Sequence, residues 1–319
     1  MARPIVLGVV GDSGAGKTTL TRGLVRVLGP EHAVCLNADD YHRFDRRQRA
    51  ELGVTPLDPD ANHLDILTQH LVLLRRGNPV LKPVYDHRHG TLEAPVYLRP
   101  ARFVFVEGLL GYHTETLRTA HDVRVFLDPP EDLRRAWKLK RDCTRRNYTT
   151  DEVLAELDRR ERDAERFIRP QREHADILVS FRAGEDPAHL DADVVLRDTL
   201  PHPDTSDLLP LLAASARGAT VVQHAHDQLL RIPGDIDPAS AAELEEAIWA
   251  RMSFASHLRV RRLGELTVGT DLYRSDSLAL VQLLILYHLM WGRIEQATGG
   301  PAAREPTRRT TGDDSALFL

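Results

Sequence analysis

Residues 11–18 read GDSGAGKT and satisfy the pattern G-x-x-x-x-G-K-[ST]. Glycines at that spacing let a loop curl until its backbone N–H groups point inward at phosphate oxygens. A helix opening directly behind the loop presents the positive end of its dipole to the same anion. Within such a loop Lys17 reaches the β- and γ-phosphates and the Thr18 hydroxyl is a ligand for Mg²⁺. The candidate nucleotide-binding residues are Gly11, Asp12, Ser13, Gly14, Ala15, Gly16, Lys17, Thr18 and Thr19. A chance match in a glycine-rich turn satisfies the same pattern. Here, however, the loop follows the apolar run PIVLGVV and opens an amphipathic segment, the context that a phosphate loop requires. The loop specifies a nucleoside triphosphate, not a reaction. The sequence contains no N-K-x-D guanine-recognition motif, which weighs against a GTPase.

Carboxylates follow two further apolar runs. Asp39 and Asp40 close HAVCLNADDY, and Glu107 closes RFVFVEG. In an open α/β sheet, ligands bind beyond the carboxyl ends of the strands. A carboxylate there can accept the proton of a hydroxyl that attacks a γ-phosphate. One of the two aspartates can equally cap the next turn, and the residues alone do not choose between them. Glu107 stands where an acid orients Mg²⁺ or its water shell, or else it is a turn residue before Gly108. His42, Arg43, Arg46, Arg47 and Arg49 come next. Arginine matches phosphate oxygens in bidentate geometry. His42 and Arg46 are therefore the candidates for a phosphorylated acceptor, and the other arginines are expected on the surface. In EDLRRAWKLKRDCTRRNYT, Lys138, Arg141, Asp142 and Arg145 share one helical face. A cationic face on a mobile helical flap suits a lid over transferring phosphates, with Asp142 holding the arginines in place. An exposed helix laced with ion pairs has the same spacing.

Certain elements must bring these residues together. PIVLGVV (4–10) reads as a strand buried on both faces, followed by a helix with Leu20, Leu24 and Val27 on one side. HAVCLNADDY is a second strand. Residues 62–76 form a helix with Leu64, Leu67, Leu71 and Leu74 on one side. RFVFVEG (102–108) and DVRVFLD (122–128) are buried strands, two charged helices occupy 131–145 and 151–168, and DADVVLRD (191–198) is another strand. The alternation predicts an α/β fold. A parallel sheet of the P-loop NTPase type is flanked by helices, with a helical lid over 131–168 and a smaller C-terminal α+β section. The expected division is a phosphate-loop domain over 1–200, a proline-containing connection over 201–216, and a C-terminal section over 217–298 that continues the fold. That section holds two strands in ATVVQHAHDQLLRIPGDID, a helix in DPASAAELEEAIWARM and a buried helix in SLALVQLLILYHLM. Residues 299–319 are expected to be a flexible tail.

Composition narrows the classes further. The chain has 319 residues, 42% apolar and 28% charged, with 42 Lys plus Arg against 47 Asp plus Glu. The net charge of −5 does not suit a general nucleic-acid binder. No uninterrupted apolar run has the length of a membrane span, and the N-terminal run reads as a strand and not as a signal peptide. Only two cysteines, Cys35 and Cys143, are present, which excludes a four-cysteine zinc site and argues against a disulfide framework. These features predict a cytoplasmic protein with no nucleic-acid or membrane partner.

The set GDSGAGKT, DDYHRFDR, KPVYDHRHG, FVEGL, WKLKRD and FIRPQREHADIL resembles the phosphoribulokinase and uridine kinase family of P-loop kinases. LGVTPLDPDANHLDIL and PQREHAD are similar to its plant and cyanobacterial phosphoribulokinase branch, and the resemblance covers about residues 4–295. It implies ATP-dependent, Mg²⁺-assisted phosphorylation of the C1 hydroxyl of ribulose 5-phosphate, a sugar phosphate substrate, and a homodimer. Carried over residue by residue, the resemblance makes Asp39 the base, with Lys17, Arg141 and Asp142 completing the catalytic set. His42, Arg46, Tyr85, His87, Lys138 and Arg146 bind substrate, and Thr18 and Glu107 serve the metal. The chain also departs from the branch. Ala15 stands where plant-type enzymes carry a regulatory cysteine, and Cys35 is displaced from the position of its partner. A thiol switch of that kind is therefore unavailable, and Cys35 is expected to be a buried strand thiol. YDHRHG keeps a feature of uridine kinases, so a nucleoside or another sugar remains an alternative acceptor. A nucleotide-binding regulator without turnover is a further one.

Overall fold

Ile5–Gly11 is buried at every position and forms β1, because a run that is apolar on both faces can only be satisfied inside a sheet. The computed structural model describes residues 3–146, 148–184, 189–200, 219–224, 227–260, 263–268 and 271–298. β1 lies between β5 (Phe103–Gly108) and β6 (Val123–Leu127), parallel to both. β2 (Ala33–Asn37) pairs parallel with β5, and β7 (Ile177–Ala183) with β6. Beyond β7 the direction alternates. β8 (Leu190–Leu196), β10 (Asp227–Ile232) and β9 (Thr220–His224) each pair antiparallel with the neighbour before them. The order is β2-β5-β1-β6-β7-β8-β10-β9.

The sheet is thus mostly parallel, as expected for the P-loop type, and its antiparallel pairs lie at the C-terminal edge. The links between β7 and β8 and between β9 and β10 are too short for a crossover helix, which parallel pairing requires. The strands expected in the C-terminal section hydrogen-bond onto β8 and extend the same sheet. The expected connection over 201–216 and tail over 299–319 lie outside the described residues.

The helices cover the sheet. α1 (Lys17–Leu28) buries Leu20, Leu24 and Val27 in the main core. The first half of the fold also contains α2 (Arg46–Leu52), α3 (Leu64–Arg75) and α4 (Glu115–Ala120). α5 (Glu131–Arg145) and α6 (Thr150–Asp163) are the two helices expected as a lid, and α6 ends in a π-helical turn at Ala164–Ile168. α7 (Pro238–Ala250) and α8 (Asp276–Thr298) close the other side. Part of α8, Asp276–Ile294, is long and apolar enough to cross a membrane by length and composition. The run SLALVQLLILYHLM within it is the segment that reads from the sequence as a buried helix. In the fold its residues Leu278–Leu286 pack into the core beside α1. The buried amide of Gln282 accepts from Gly264 N at 2.8 Å and donates to Leu20 O at 3.2 Å. It reaches α1 through the gap left at Gly23, where a Cβ would lie 2.0 Å from the amide nitrogen.

Two hairpins stand outside the main sheet: β3 (Val80–Asp86) with β4 (Thr91–Leu98), and β11 (Glu265–Val268) with β12 (Asp271–Arg274). Neither hairpin, nor β7, was assigned as strand from the sequence. β4 is exposed along nearly its whole length and carries no alternation to read. Cys35 is also corrected. It is exposed, because β2 is the outer strand and pairs on one side only.

Candidate active site

The glycine loop turns from β1 into α1 with Gly14 and Gly16 at φ +93° and +94°, the left-handed region that favours glycine. Ala15 N donates to Asp12 O at 3.1 Å and Ser13 N to the Asp12 carboxylate at 2.6 Å. Thr19 sits exposed on the first turn of α1. Lys17 Nζ donates to Gly11 O at 2.7 Å and Asp12 O at 2.9 Å, so the ammonium is folded onto the loop. Burial pushes it below its ordinary pKa, against the opposing charges of Asp39, Asp12 and Glu107.

Glu107 ends β5, beside β1. Its carboxylate accepts from Thr21 Oγ1 at 2.8 Å and from Thr18 Oγ1 at 3.3 Å. A hydroxyl and a carboxylate oxygen side by side are hard donors that fit Mg²⁺. That ion takes one or two protein oxygens and completes its shell with phosphates and water.

β2 ends in a one-turn helix, Ala38–Tyr41, capped by Asn37 Oδ1 on Asp39 N at 3.0 Å. The turn sends the two aspartates to different places. Asp40 is buried, accepts from Tyr85 N at 2.9 Å and pairs with Lys82 Nζ, tying β3 to the turn. The Asp39 carboxylate makes no hydrogen bond among the described residues. Burial alone would raise its pKa, but His42, His87, Lys17 and Arg146 outweigh burial and hold it below the ordinary carboxylate value.

The residues expected to bind the acceptor lie on the turn after β2, on α2 and on the β3–β4 hairpin. The rings of His42 and Tyr85 meet edge-on at 4.8 Å and those of Tyr85 and His87 at 5.1 Å. Arg46 Nη2 donates to His87 O at 2.6 Å, and its guanidinium lies 5.5 Å from the centre of the Tyr148 ring. Arg49, expected on the surface, is buried and donates to Tyr85 Oη at 2.6 Å and Phe44 O at 2.5 Å. His42 Nδ1 stands 2.7 Å from Asn62 Oδ1.

α5 lies directly on the phosphate loop. Arg134 Nη1 donates to Ser13 O at 2.9 Å and pairs with Asp12 at 3.3 Å. Arg141 Nη2 is 3.4 Å from Ser13 Oγ. Asp142 gathers Lys138 Nζ at 2.8 Å, Arg141 Nε at 2.7 Å and Arg146 Nη1 at 3.4 Å. Burial opposes its ionisation, but these partners, Arg141 foremost, bring its pKa down to about 2. Lys138 is buried against Gly14 on the loop side of the lid. The Arg145 side chain lies outside those described.

A family model described as the phosphoribulokinase / uridine kinase family matches residues 6–186. The chain belongs to this family. Within it, the chain is 37% identical over 177 residues to a phosphoribulokinase of Synechocystis sp., covering 56% of this chain and 53% of that protein. It is 34% identical over 197 residues to the chloroplastic phosphoribulokinase of Mesembryanthemum crystallinum, covering 56% and 49%. The chain therefore spans about half the length of these curated phosphoribulokinases. A uridine kinase of Staphylococcus epidermidis is 33% identical over 186 residues, covering 56% of this chain and 88% of that protein. The solved structure of a phosphoribulokinase from Rhodobacter spheroides shares the fold at a TM-score of 0.59 and 18% identity, over 81% of this chain and 99% of that one.

In this family member the candidates read from the sequence fall into three groups: the loop with Thr18 and Glu107, the α5 cluster on Asp142, and the cluster of Asp39, His42, Arg46, Tyr85, His87 and Arg146. Sequence reasoning missed Thr21, Arg49, Asn62, Lys82 and Arg134. Arg134 had a legible signal, one turn before Lys138 on the same face. Asn62 and Lys82 had none, because their partners are distant in sequence.

Proposed function

We propose that the chain is an ATP-dependent kinase that phosphorylates the C1 hydroxyl of ribulose 5-phosphate, giving ribulose 1,5-bisphosphate and ADP. The observation that carries this reading is the Asp39 carboxylate. It is ionised, makes no hydrogen bond among the described residues, and lies at the end of a sheet strand among Lys17, His42, His87 and Arg146. In this reading Asp39 takes the proton of the attacking hydroxyl. The hydroxyl oxygen forms a bond to the γ-phosphorus, the bond from that phosphorus to the β,γ-bridging oxygen breaks, and ADP leaves. Lys17 and Arg141 offset the charge that spreads over the phosphoryl oxygens. Mg²⁺ held at Thr18 and Glu107 would further neutralise the phosphates. The nearby cations Arg46 and Arg146 favour a phosphorylated acceptor, since a nucleoside has no phosphate to neutralise. The relatives named phosphoribulokinase favour a pentose phosphate.

A specific observation favours a second reading, a nucleoside acceptor: the uridine kinase relative is matched over 88% of its length. The test is ADP release by the purified chain with ATP and Mg²⁺ against ribulose 5-phosphate, other pentose and hexose phosphates, uridine and cytidine. Selectivity for ribulose 5-phosphate with the bisphosphate as product supports the first reading. Selectivity for a nucleoside replaces it with the second.

A further inference from the structure

His42 and Asn62 face each other across a bridge between the turn after β2 and the segment before α3. Each is 5% exposed, in surroundings where every polar atom needs a partner. The Asn62 amide nitrogen lies 3.1 Å from Pro56 O and 2.7 Å from Asp58 O. Those carbonyls can only accept, so the atom between them must be the donor Nδ2, and the atom turned to the histidine must be Oδ1. Oδ1 has no proton to give. His42 Nδ1, 2.7 Å away, therefore carries the hydrogen, and in the neutral ring Nε2 is left with a lone pair.

We propose that Asn62 is a positioning residue that locks the His42 imidazole as its Nδ1–H tautomer, so that Nε2 receives a hydroxyl of the acceptor substrate rather than donating to its phosphate. The proposal rests on the kinase reading for the acceptor, but the tautomer itself does not. Four groups besides Asn62 face the ring: Asp39 on the same turn, Arg49 from α2, Tyr85 at the end of β3 and His87 just after it. Burial pushes His42 down to about 4; Asp39 and the Asn62 bond oppose that shift, and Arg49 and His87 add to it. The ring is neutral at pH 7 and forms no charged pair with Asp39. The carboxylate is thereby left free for the attacking hydroxyl, while the phosphate of the acceptor falls to the arginines. One segment before α3 thus sets which part of the substrate His42 can read.

The test begins with long-range proton–nitrogen correlation spectra of the ¹⁵N-labelled full chain at pH 7, with His42 assigned by its loss in His42→Gln. The expected spectrum shows a protonated Nδ1 and a bare Nε2. A protonated Nε2 overturns the proposal, whatever the enzyme phosphorylates. Asn62→Asp keeps an oxygen toward Nδ1 but adds a charge, and should move the His42 titration upward by about one unit or more. An unchanged titration argues against the lock. Asn62→Leu should raise the KM for the acceptor about tenfold, the cost of one buried hydrogen bond, while the KM for ATP stays within about twofold. If both KM values rise together, or neither moves, the positioning role fails. If no acceptor in the panel is phosphorylated, the kinase reading fails and the spectra still decide the tautomer.

Discussion

At the scale of single residues, the two adjacent aspartates show how one turn separates chemistry from support. Asp39 is ionised with no hydrogen-bond partner among the described residues, and Asp40 is buried on Tyr85 N and Lys82. Asp39→Asn is expected to lower kcat by about a hundred- to ten-thousand-fold, the usual worth of a general base, while ATP still binds. Kinetics and calorimetric titration with ATP check both halves; a variant within tenfold of wild type removes Asp39 as the base. Asp40→Asn should act differently. Leaving the Lys82 ammonium buried without its counter-charge should cost about 3 kcal/mol of stability, read as a lower denaturant midpoint. The reason a doublet in the sequence could not be resolved is geometric. Both residues are aspartate at a strand end, and only the position of β3 shows which one is already occupied.

At the scale of elements, the lid and the loop are one unit. Gly14 is at φ +93°, and a Cβ there would stand 3.0 Å from Arg134 O and from Lys138 Cβ. Gly14→Ala therefore combines backbone strain with a clash against α5, and each typically costs about 1–3 kcal/mol. The expected outcome is an ATP affinity at least about tenfold weaker and faster amide exchange along α5 than in wild type. Unchanged exchange would separate the lid from the loop. The charge pattern of α5 was readable from its helical spacing, and its amphipathic register fixed which side chains share a face. That this face turns onto the phosphate loop and not into solvent was not readable. The choice depends on the pairing of α5 with α6 and on the contacts of Arg134 with Ser13 and Asp12.

At the scale of the whole molecule, stability should depend on pH through its buried histidines. His121 is 3% exposed, lies 2.6 Å from Leu117 O through Nδ1, and meets Tyr112 edge-on at 5.4 Å. Burial pushes it from 6.5 down to about 4, and His42 and His174 reach a similar value. Above about pH 6.5 neither the folded nor the unfolded chain protonates such a group, and below about 4 both do. Between these limits only the unfolded chain binds the proton, so stability falls as pH drops from 6.5 toward 4. For His121 the loss is about 3 kcal/mol across that window. Urea unfolding at a series of pH values should show the decline, and His121→Gln should flatten its slope. A slope identical to wild type would mean that His121 does not carry it.

The sequence by itself determined the phosphate loop, the strand–loop–helix unit that presents it, the carboxylates at strand ends and the cationic face of α5. Each is written in neighbouring residues or in a repeat of two or 3.6 positions, which local sterics and burial enforce. Tertiary structure decided what depends on distant partners. It turned β8, β9 and β10 antiparallel and exposed Cys35 on an outer strand. It also buried Arg49 on Tyr85, set Lys82 on Asp40 and placed Asn62 against His42. Those contacts join residues tens of positions apart, and no local periodicity encodes them, because a buried polar group is satisfied by whatever the fold brings within hydrogen-bonding distance.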